Sequence, residues 1–326
     1  MSTEAIIQIK NKILESRRIA VLSHLRPDGD SICASLSLHF MGEMLGKELD
    51  VYIKDRLPFP FNNFPDVERI RIGEMPQQDD SYDCVILLEC ANVSRSGQSN
   101  LEDCFKINID HHHSNDLYAD INWVDPEAPA VACMIYHLGE ELGITLTPRI
   151  ATQLYSAIVS DTGSFQFSNT NAEAFKICYQ LVNHGAVPIQ VTEMLFNNNP
   201  WEKIKLMGQV LSILSMSHDG NIAIITMFKR FLDDLNLKEI DSEEITTLAR
   251  SIKGAGMVLF FKEMQPDTFR VSIRSKASAD AAAVAEHFGG GGHRHAAGFT
   301  VSGKIEALTR DIPTEVNRLL KENGQI

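Results

Sequence analysis

The sequence has no apolar run that approaches the roughly 20 residues a membrane-spanning helix needs. Residues 1–18, MSTEAIIQIKNKILESRR, are amphipathic and lack the apolar core and cleavage site of a signal peptide. No internal repeat and no low-complexity tract is visible. These absences predict a globular, cytoplasmic protein that makes no contact with a membrane.

The sequence also lacks a net basic charge and CxxC pairs of cysteines. The net charge is −13, which argues against an extended groove for long or duplex nucleic acid, since such a groove needs clustered Lys and Arg. A small phosphorylated substrate remains compatible, because metal ions and a few local arginines can neutralise two or three phosphates. The six cysteines show no CxxC spacing, so buried, reduced thiols are the simplest interpretation.

The 326 residues exceed what one compact core usually holds, and the pattern changes along the chain. We predict a first domain at 1–193, a linker at 194–205 and a second domain at 206–326. In the first domain strand patterns alternate with helical ones, which is typical of a parallel α/β sheet. The expected strands are RIAVLSH, ELDVYI, DCVILLE and KINID, and the expected helices are 3–17, SICASLSLHFMGEML, 130–143, 148–160 and 171–184.

The second domain is expected to be a smaller α/β unit. NIAIITMF reads as a strand, and GMVLFFKEM and TFRVSIRS as a hairpin through Pro266-Asp267. ADAAAVAEHF and IEALTRDIPTEVNRLLKE have helical patterns.

Polar side chains follow three of the predicted strands of the first domain. His24 follows RIAVLS, Glu89 ends CVILLE, and Asp110-His111-His112 comes at the end of KINID. In open α/β sheets the carboxyl ends of the strands are where ligands bind. Three such clusters at one edge therefore predict a site, although each taken alone has a structural explanation as a surface loop.

Two further carboxylate features belong with this set. Asp28-Gly29-Asp30 forms a tight loop whose two carboxylates can diverge toward different ions; the alternative is a turn that caps the next helix. Asp161 ends an apolar helix, where the macrodipole disfavours a carboxylate, and a metal partner would explain it.

Six residues are thus candidate metal ligands: His24, Asp28, Asp30, Glu89, His111 and Asp161. Four carboxylates and two imidazoles suit a pair of ions such as Mn²⁺ or Mg²⁺, which together can clamp a phosphoryl group. Consecutive histidines alternate sides of a strand, so His111, His112 and His113 cannot all bind one ion: one or two would ligate, and another would support a ligand or face the substrate. Asp110 is expected to orient an imidazole.

A candidate phosphate-binding feature is predicted in the second domain. The glycines at 289–292 offer backbone N–H groups that can cradle phosphate, and His293 can add a proton donor. Arg274 is on a strand nearby in sequence, and arginine binds phosphate in a bidentate manner. The alternatives are a flexible loop and an ordinary solvated arginine.

These motifs together resemble the DHH phosphoesterase superfamily. The resemblance is carried by SHLRPDGDSICAS, LLECANVSRSG, NIDHHHSN and IVSDTGSFQFSNT, with GGGGHRHAAGF resembling the DHH-associated C-terminal domain. It covers nearly the whole chain in the right order. The two-domain length is most similar to the bacterial nano-RNase group, the oligoribonuclease and pAp-phosphatase proteins.

The resemblance implies a parallel-sheet catalytic domain that faces a smaller substrate-binding domain across a cleft. It implies two Mn²⁺ ions, with Mg²⁺ as the alternative, and catalytic roles for His112, Asp110 and Asp30. The residues it assigns to substrate binding are Arg95, Arg274, Gly291, Gly292 and His293. One position departs, because the family usually carries aspartate where this chain has Glu89, one methylene longer; we interpret it as a tolerated variant.

The expected activity is hydrolysis of very short RNA or DNA oligonucleotides to mononucleotides, and of pAp to AMP. The alternative is a cyclic- or linear-dinucleotide phosphodiesterase. Less favoured are a non-catalytic nucleotide-binding protein altered at Glu89 and a zinc-binding module built on the histidine run. A homodimer is expected from the family alone.

Overall fold

The computed structural model describes residues 3–76, 82–99, 101–237, 243–276 and 279–325, apart from the side chains of Thr3, Glu243 and His293. The chain divides into two compact units, Met1–Asn198 and Asn199–Ile326. This division falls inside the segment 194–205 that the sequence predicts as a linker, although residues 201–205 are helical. None of the described helices is both long and apolar enough to cross a membrane.

The first unit begins with a helix, a strand and a second helix, continues through five further strands with no α-helix between them among the described residues, and ends in four helices. Its elements are α1 (Thr3–Glu15), β1 (Arg18–Leu22), α2 (Gly29–Met44), β2 (Glu48–Ile53), β3 (Ile70–Ile72), β4 (Cys84–Leu88), β5 (Lys106–Asp110), β6 (Ile121–Val124), α3 (Val131–Glu141), α4 (Pro148–Asp161), α5 (Ala172–Asn183) and α6 (Pro188–Leu195).

The six described strands of this unit form one parallel sheet in the order β3-β2-β1-β4-β5-β6. The strand order reverses between β1 and β4, and such a switch point is where ligands bind in open α/β sheets. Successive residues of β1 point to opposite faces, so that Ile19 and Val21 pack in the main helix-covered core while Ala20 and Leu22 pack in a smaller cluster on the other face.

The second unit begins with a helix and is built on a mixed sheet. Its elements are α7 (Trp201–Ser212), β7 (Ser215–Met216), β8 (Ile222–Met227), α8 (Lys229–Asp233), α9 (Glu243–Arg250), β9 (Met257–Gln265), β10 (Thr268–Ser275), α10 (Ala281–His287), β11 (Gly291–His293), β12 (Ala296–Ser302) and α11 (Ile305–Glu322).

The strands of the second unit run in the order β11-β12-β10-β9-β8-β7, with β8 and β9 parallel and the other described pairs antiparallel. One face packs against α10 and α11 through a cluster that contains Phe261 and Phe269. Part of the other face is covered by the cluster that contains Leu206, Ile245 and Phe260. The α/β class, the parallel sheet and the second, smaller α/β unit are confirmed.

Candidate functional site

The carboxyl edge of the parallel sheet gathers residues from three neighbouring strands. His24 lies two residues beyond β1, Glu89 directly follows β4, and His111 directly follows β5. Because β1, β4 and β5 are adjacent and parallel, their ends meet at the switch point of the sheet. The three side chains lie close together at this edge, as the sequence leads us to expect.

The metal-ligating atoms form two groups that share one carboxylate. His24, Asp28 and Glu89 have ligand atoms within 4.8 Å of one another, and so do Asp30, Glu89 and His111. Glu89 Oε2 lies 3.7 Å from His24 Nε2, and Glu89 Oε1 lies 3.5 Å from His111 Nε2. Glu89 is therefore placed as a bridge, with one oxygen toward each group.

Glu89 has an unusual backbone and an unpaired oxygen. Its φ is 56°, in the left-handed region that a non-glycine residue rarely adopts, and its N–H still donates to Ile109 O. Strain of this kind persists where the surrounding structure enforces it, often at functional sites. Its Oε2 is buried without a hydrogen-bond partner, which is costly unless a ligand completes it.

Charge on the two imidazoles depends on the carboxylates around them. Burial disfavours the charged form of His24, but the contacts of its ring with the Asp28 and Glu89 carboxylates outweigh burial and raise its pKa to about 10. Burial acts in the same direction on His111, and the contact with Glu89 again prevails and raises the pKa to about 10. Both rings thus lie in a strongly negative environment.

The carboxylates are crowded enough to oppose one another. Burial, with Glu89 next in importance, raises the pKa of Asp30 well above its usual value and that of Asp161 to about 7. Burial acts on Glu89 too, but the contacts with the His111 and His24 rings outweigh it and lower the pKa of Glu89. The donor set, the excess of negative charge and the orphaned Oε2 all fit a pair of divalent cations.

All three imidazoles at this edge are anchored through the same nitrogen. His24 Nδ1 donates to Leu25 O at 2.8 Å, His111 Nδ1 donates to Ala128 O at 3.1 Å, and His112 Nδ1 lies 2.7 Å from Asp110 Oδ1. A carbonyl acceptor on Nδ1 fixes the tautomer and leaves the Nε2 lone pair for another partner. In His24 and His111 that Nε2 points to the shared Glu89.

Asp28 and Asp30 diverge as the sequence predicts, one to each group, but both also serve as helix caps. Asp28 is the N-cap of α2, where its carboxylate accepts from Ser31 N. The sequence places Asp30 in a polar loop, and this is wrong. Asp30 lies in the first turn of α2, only 1% exposed, and its two oxygens accept from Val131 N and Ala132 N at the start of α3.

Asp110 and His112 form a pair that belongs to neither metal group. Asp110 is fully buried, and its Oδ1 accepts from the backbone N–H groups of His111 and His112 as well as from the His112 ring. Its Oδ2 accepts from Asn115 Nδ2 at 2.5 Å. Burial opposes ionisation, but the His112 contact prevails and lowers the pKa of Asp110. His112 is held by Nδ1 with its ring half-exposed.

Asp161, the last residue of α4, lies at the margin of the second group. Its Oδ2 is 3.9 Å from His111 Nε2 and accepts a hydrogen bond from Asn169 Nδ2 at 3.0 Å. Asn169 and Asn115 are not among the site residues that the sequence predicts. Each is an amide a few residues from a candidate carboxylate within a motif, which is a signal that could have found them.

The segment 128–132, APAVA, is a second feature that sequence reasoning missed. Its backbone contacts His111 through Ala128 O, Asn169 through Pro129 O, and Asp30 through two N–H groups. Aliphatic residues carry no chemical signal of their own, so only the fold reveals this role.

Arg95 lies in a short 3-10 turn, Val93–Ser96, that follows β4. Its carbonyl accepts from Leu25 N at 2.6 Å, which joins this turn to the residue after His24. Gly97 follows in the left-handed region with φ 65°, and a Cβ there would lie 2.5 Å from the Leu25 side chain. The backbone contact between Leu25 and Arg95 thus places this turn beside the loop that contains His24. The Arg95 side chain is half-buried and makes no hydrogen bond or ion pair with the described residues.

The second unit brings its own candidates together at one end of the sheet. Arg274 on β10 pairs in register with Ala296 on β12, which in turn pairs with His293 on β11. Directly opposed residues of antiparallel strands share a face, so these three positions form one row. Gly291 and Gly292 belong to the same strand as His293, whose side chain lies outside the described part of the structure.

Part of the glycine run is a strand, so the flexible loop given above as the alternative interpretation is wrong for Gly291 and Gly292. Gly291 and Gly292 lie in β11 and pair with β12, while the N–H groups of Gly289 and Gly290 donate to Glu286 O and Ala285 O. The run folds this way because α10 ends just before it and β12 offers a free edge. Gly292 has φ 149°, and a Cβ there would lie 2.5 Å from Ala297 Cα; a Cβ on Gly291 would meet open space.

Comparison with known proteins gives matches along both units. The family model described as DHH family, N-terminal domain matches residues 18–158, and the DHHA1 domain model matches residues 219–322. The bifunctional oligoribonuclease and PAP phosphatase NrnA of Thermus thermophilus is 32% identical over 87% of this chain and 84% of that protein. The Bacillus subtilis protein of the same name is 28% identical over 87% and 89%.

A solved structure shares the fold over nearly the full length. The exopolyphosphatase-related protein from Bacteroides fragilis superposes with a TM-score of 0.87 over 98% of this chain and 97% of that chain, at 23% identity.

Proposed function

This chain belongs to the DHH family and is a hydrolase, and we propose that it removes mononucleotides from very short oligoribonucleotides and converts pAp to AMP. Relatives in Thermus thermophilus and Bacillus subtilis carry the names of both activities. The observation that supports the proposal most is Glu89, which links two metal-ligating groups at the switch point of the sheet. We further propose that the protein acts in the cytoplasm.

The metal pair is proposed to be Mn²⁺, with Mg²⁺ as the alternative. His24, Asp28 and Glu89 would hold one ion, and Asp30, Glu89, His111 and Asp161 the other. Two such ions activate water and neutralise charge that develops on a phosphoryl group. Nδ1 of both His24 and His111 is already engaged, so the rings are oriented before an ion binds.

We assign the proton transfer to His112. Asp110 fixes Nδ1 at 2.7 Å, and this leaves Nε2 to hold a proton near a leaving oxygen. Asp110 acts through His112, because it is fully buried and its oxygens are occupied by His111 N, His112 and Asn115. Asp30 contributes as a metal ligand that also caps α3.

Substrate binding is proposed for the second unit. The Arg274 row presents an arginine and small residues on one face, so a nucleotide could approach the backbone at Gly291. Gly292, where a Cβ would meet Ala297, is assigned to this group by the family resemblance. His293 is assigned to this group by the family resemblance alone. Arg95, beside the loop after β1, is proposed to bind a phosphate of the same substrate.

One assay discriminates the candidate substrates. Purified protein with Mn²⁺ is offered pAp, pGpG, c-di-AMP and a 5-mer RNA, and products are followed by chromatography. We expect turnover of pAp, of the linear dinucleotide and of the 5-mer, with mononucleotides released. Cleavage confined to c-di-AMP or to pGpG would support the dinucleotide phosphodiesterase alternative. No cleavage of any of the four would refute the proposed substrate class.

A further inference from the structure

Asp161 needs support from outside its own helix. It ends α4, where the partial negative charge of the last carbonyl groups opposes a carboxylate. It lies 3.9 Å from His111 Nε2, farther than the 3.5 Å that separates Glu89 from the same atom, and it is outside both close groups. Its distance to a metal is therefore set by whatever holds its side chain.

That support comes from one amide. Asn169 Nδ2 lies 3.0 Å from Asp161 Oδ2, 3.1 Å from Asp161 O and 2.8 Å from Pro129 O. Three oxygens around one nitrogen fix which end of the amide is the donor. Among the described residues Asn169 is the one hydrogen-bond donor to the Asp161 carboxylate.

These contacts of Asn169 Nδ2 leave the other end of the same amide unpaired. Asn169 Oδ1 is buried and has no hydrogen-bond partner. A buried acceptor left unpaired is unfavourable and calls for an explanation. The geometry explains it, because Asn169 Nδ2 has to face the oxygens of Asp161 and Pro129.

Pro129 connects this contact to the other ligands. The same segment, 128–132, holds His111 through Ala128 O and Asp30 through Val131 N and Ala132 N. Asn169 thus ties Asp161 to the backbone that orients two further ligands of the same ion.

We propose that Asn169 is a positioning residue that fixes the Asp161 carboxylate for the metal position formed by Asp30, Glu89 and His111. The inference rests on the metal centre of the proposed function. It assigns no contact between Asn169 and the substrate, so its effect passes entirely through Asp161.

The test is direct titration of Mn²⁺ into the full chain, followed by electron paramagnetic resonance and calorimetry. The wild-type protein should bind two ions. Asn169→Ala should weaken one of them by roughly 10- to 100-fold and leave the other unchanged. Turnover of Asn169→Ala should recover at raised Mn²⁺, with KM for the substrate unaltered.

Asn171→Ala is the matched control. This substitution removes the same kind of amide two residues away. Asn171 also contacts the loop before α3, through Glu127 O, but it caps α5 and contacts no candidate ligand. Its thermal stability should fall while both Mn²⁺ affinities stay at wild-type values. Equal loss of Mn²⁺ affinity in both variants would overturn the proposal.

A double-mutant cycle separates positioning from a general structural role. In an Asp161→Ala background, Asn169→Ala should cause no further loss of Mn²⁺ affinity, and an additive loss would count against the proposal. If Asn169→Ala does not fold, Asn169→Ser replaces it in the same cycle. A wild-type protein that binds no divalent ion would instead refute the metal centre, whereas two ions bound equally by wild type and Asn169→Ala would refute the inference alone.

Discussion

The candidate groups of the two units are held in opposite ways. At the edge of the first sheet, His24, Glu89 and His111 are largely buried, and each imidazole is anchored through its second nitrogen. At the end of the second sheet, Arg274 is half-exposed and Gly291 faces open space. The first arrangement is fixed by folding, whereas the second presents glycine backbone and a half-exposed arginine to a ligand.

This difference separates what each unit contributes. A buried, crowded set of carboxylates is unfavourable by itself and becomes favourable with cations, so the first unit is suited to hold metals in a fixed geometry. A half-exposed arginine, one strand away from a glycine strand, has no such need and is suited to substrates that bind and dissociate. Variants of the buried metal-ligating set in the first unit should therefore affect the chemical step, and variants of Arg274 in the second unit should affect substrate binding.

The largest effect is expected at the shared carboxylate. Glu89→Gln removes the charge that faces both groups, so Mn²⁺ binding should fall below two ions per chain and kcat should drop by roughly 10⁴-fold or more. Metal titration and steady-state kinetics measure the two effects. Wild-type Mn²⁺ stoichiometry in this variant would show that Glu89 is not a bridge.

Glu89→Asp serves as the control for that change. It keeps the charge, restores the residue that the family usually carries, and suits the left-handed backbone, which aspartate adopts more readily than glutamate. We expect two bound ions and activity within about tenfold of the wild type.

His112→Ala tests the chemical step without the metals. Because His112 is in neither metal group, Mn²⁺ binding and KM should be preserved, while kcat should fall by roughly 10²- to 10⁴-fold. His113→Ala is the matched control, since this neighbour is exposed and its side chain makes no hydrogen bond or ion pair with the described residues. If the two variants lose kcat equally, the assignment of His112 to proton transfer is wrong.

The same contrast explains how far the sequence could predict the fold. The strands ELDVYI and TFRVSIRS and the helix IEALTRDIPTEVNRLLKE have the predicted bounds, because apolar periodicity marks each one locally. The strands β3 and β6 were missed because they are short and mostly not buried. The strand β11 was missed because a glycine run has little strand propensity, and its pairing depends on distant β12.

For the candidate site, the sequence could predict ligand types but not their supports. His24, Glu89 and His111 follow apolar strands, and parallel strand order then brings them together. Asp30 was misplaced in a loop because Pro27 and Gly29 before it resemble a turn, whereas the N–H groups that hold it come from residues about 100 positions away. Backbone contacts of this kind have no signature in a residue list.

The smallest of these effects is expected in the second unit, at Arg274. Arg274→Ala should raise KM by roughly 10- to 100-fold, the value of a hydrogen bond to a charged group, and leave Mn²⁺ binding unchanged. Arg270→Ala is the control, because Arg270 is exposed on the same face of β10 but about 13 Å along the strand. A KM that Arg274→Ala leaves unaltered for every substrate would remove Arg274 from the site. Equal increases of KM in both variants would indicate general electrostatic attraction of the substrate. The second unit would then lack a specific binding strand to contrast with the fixed metal-ligating edge of the first.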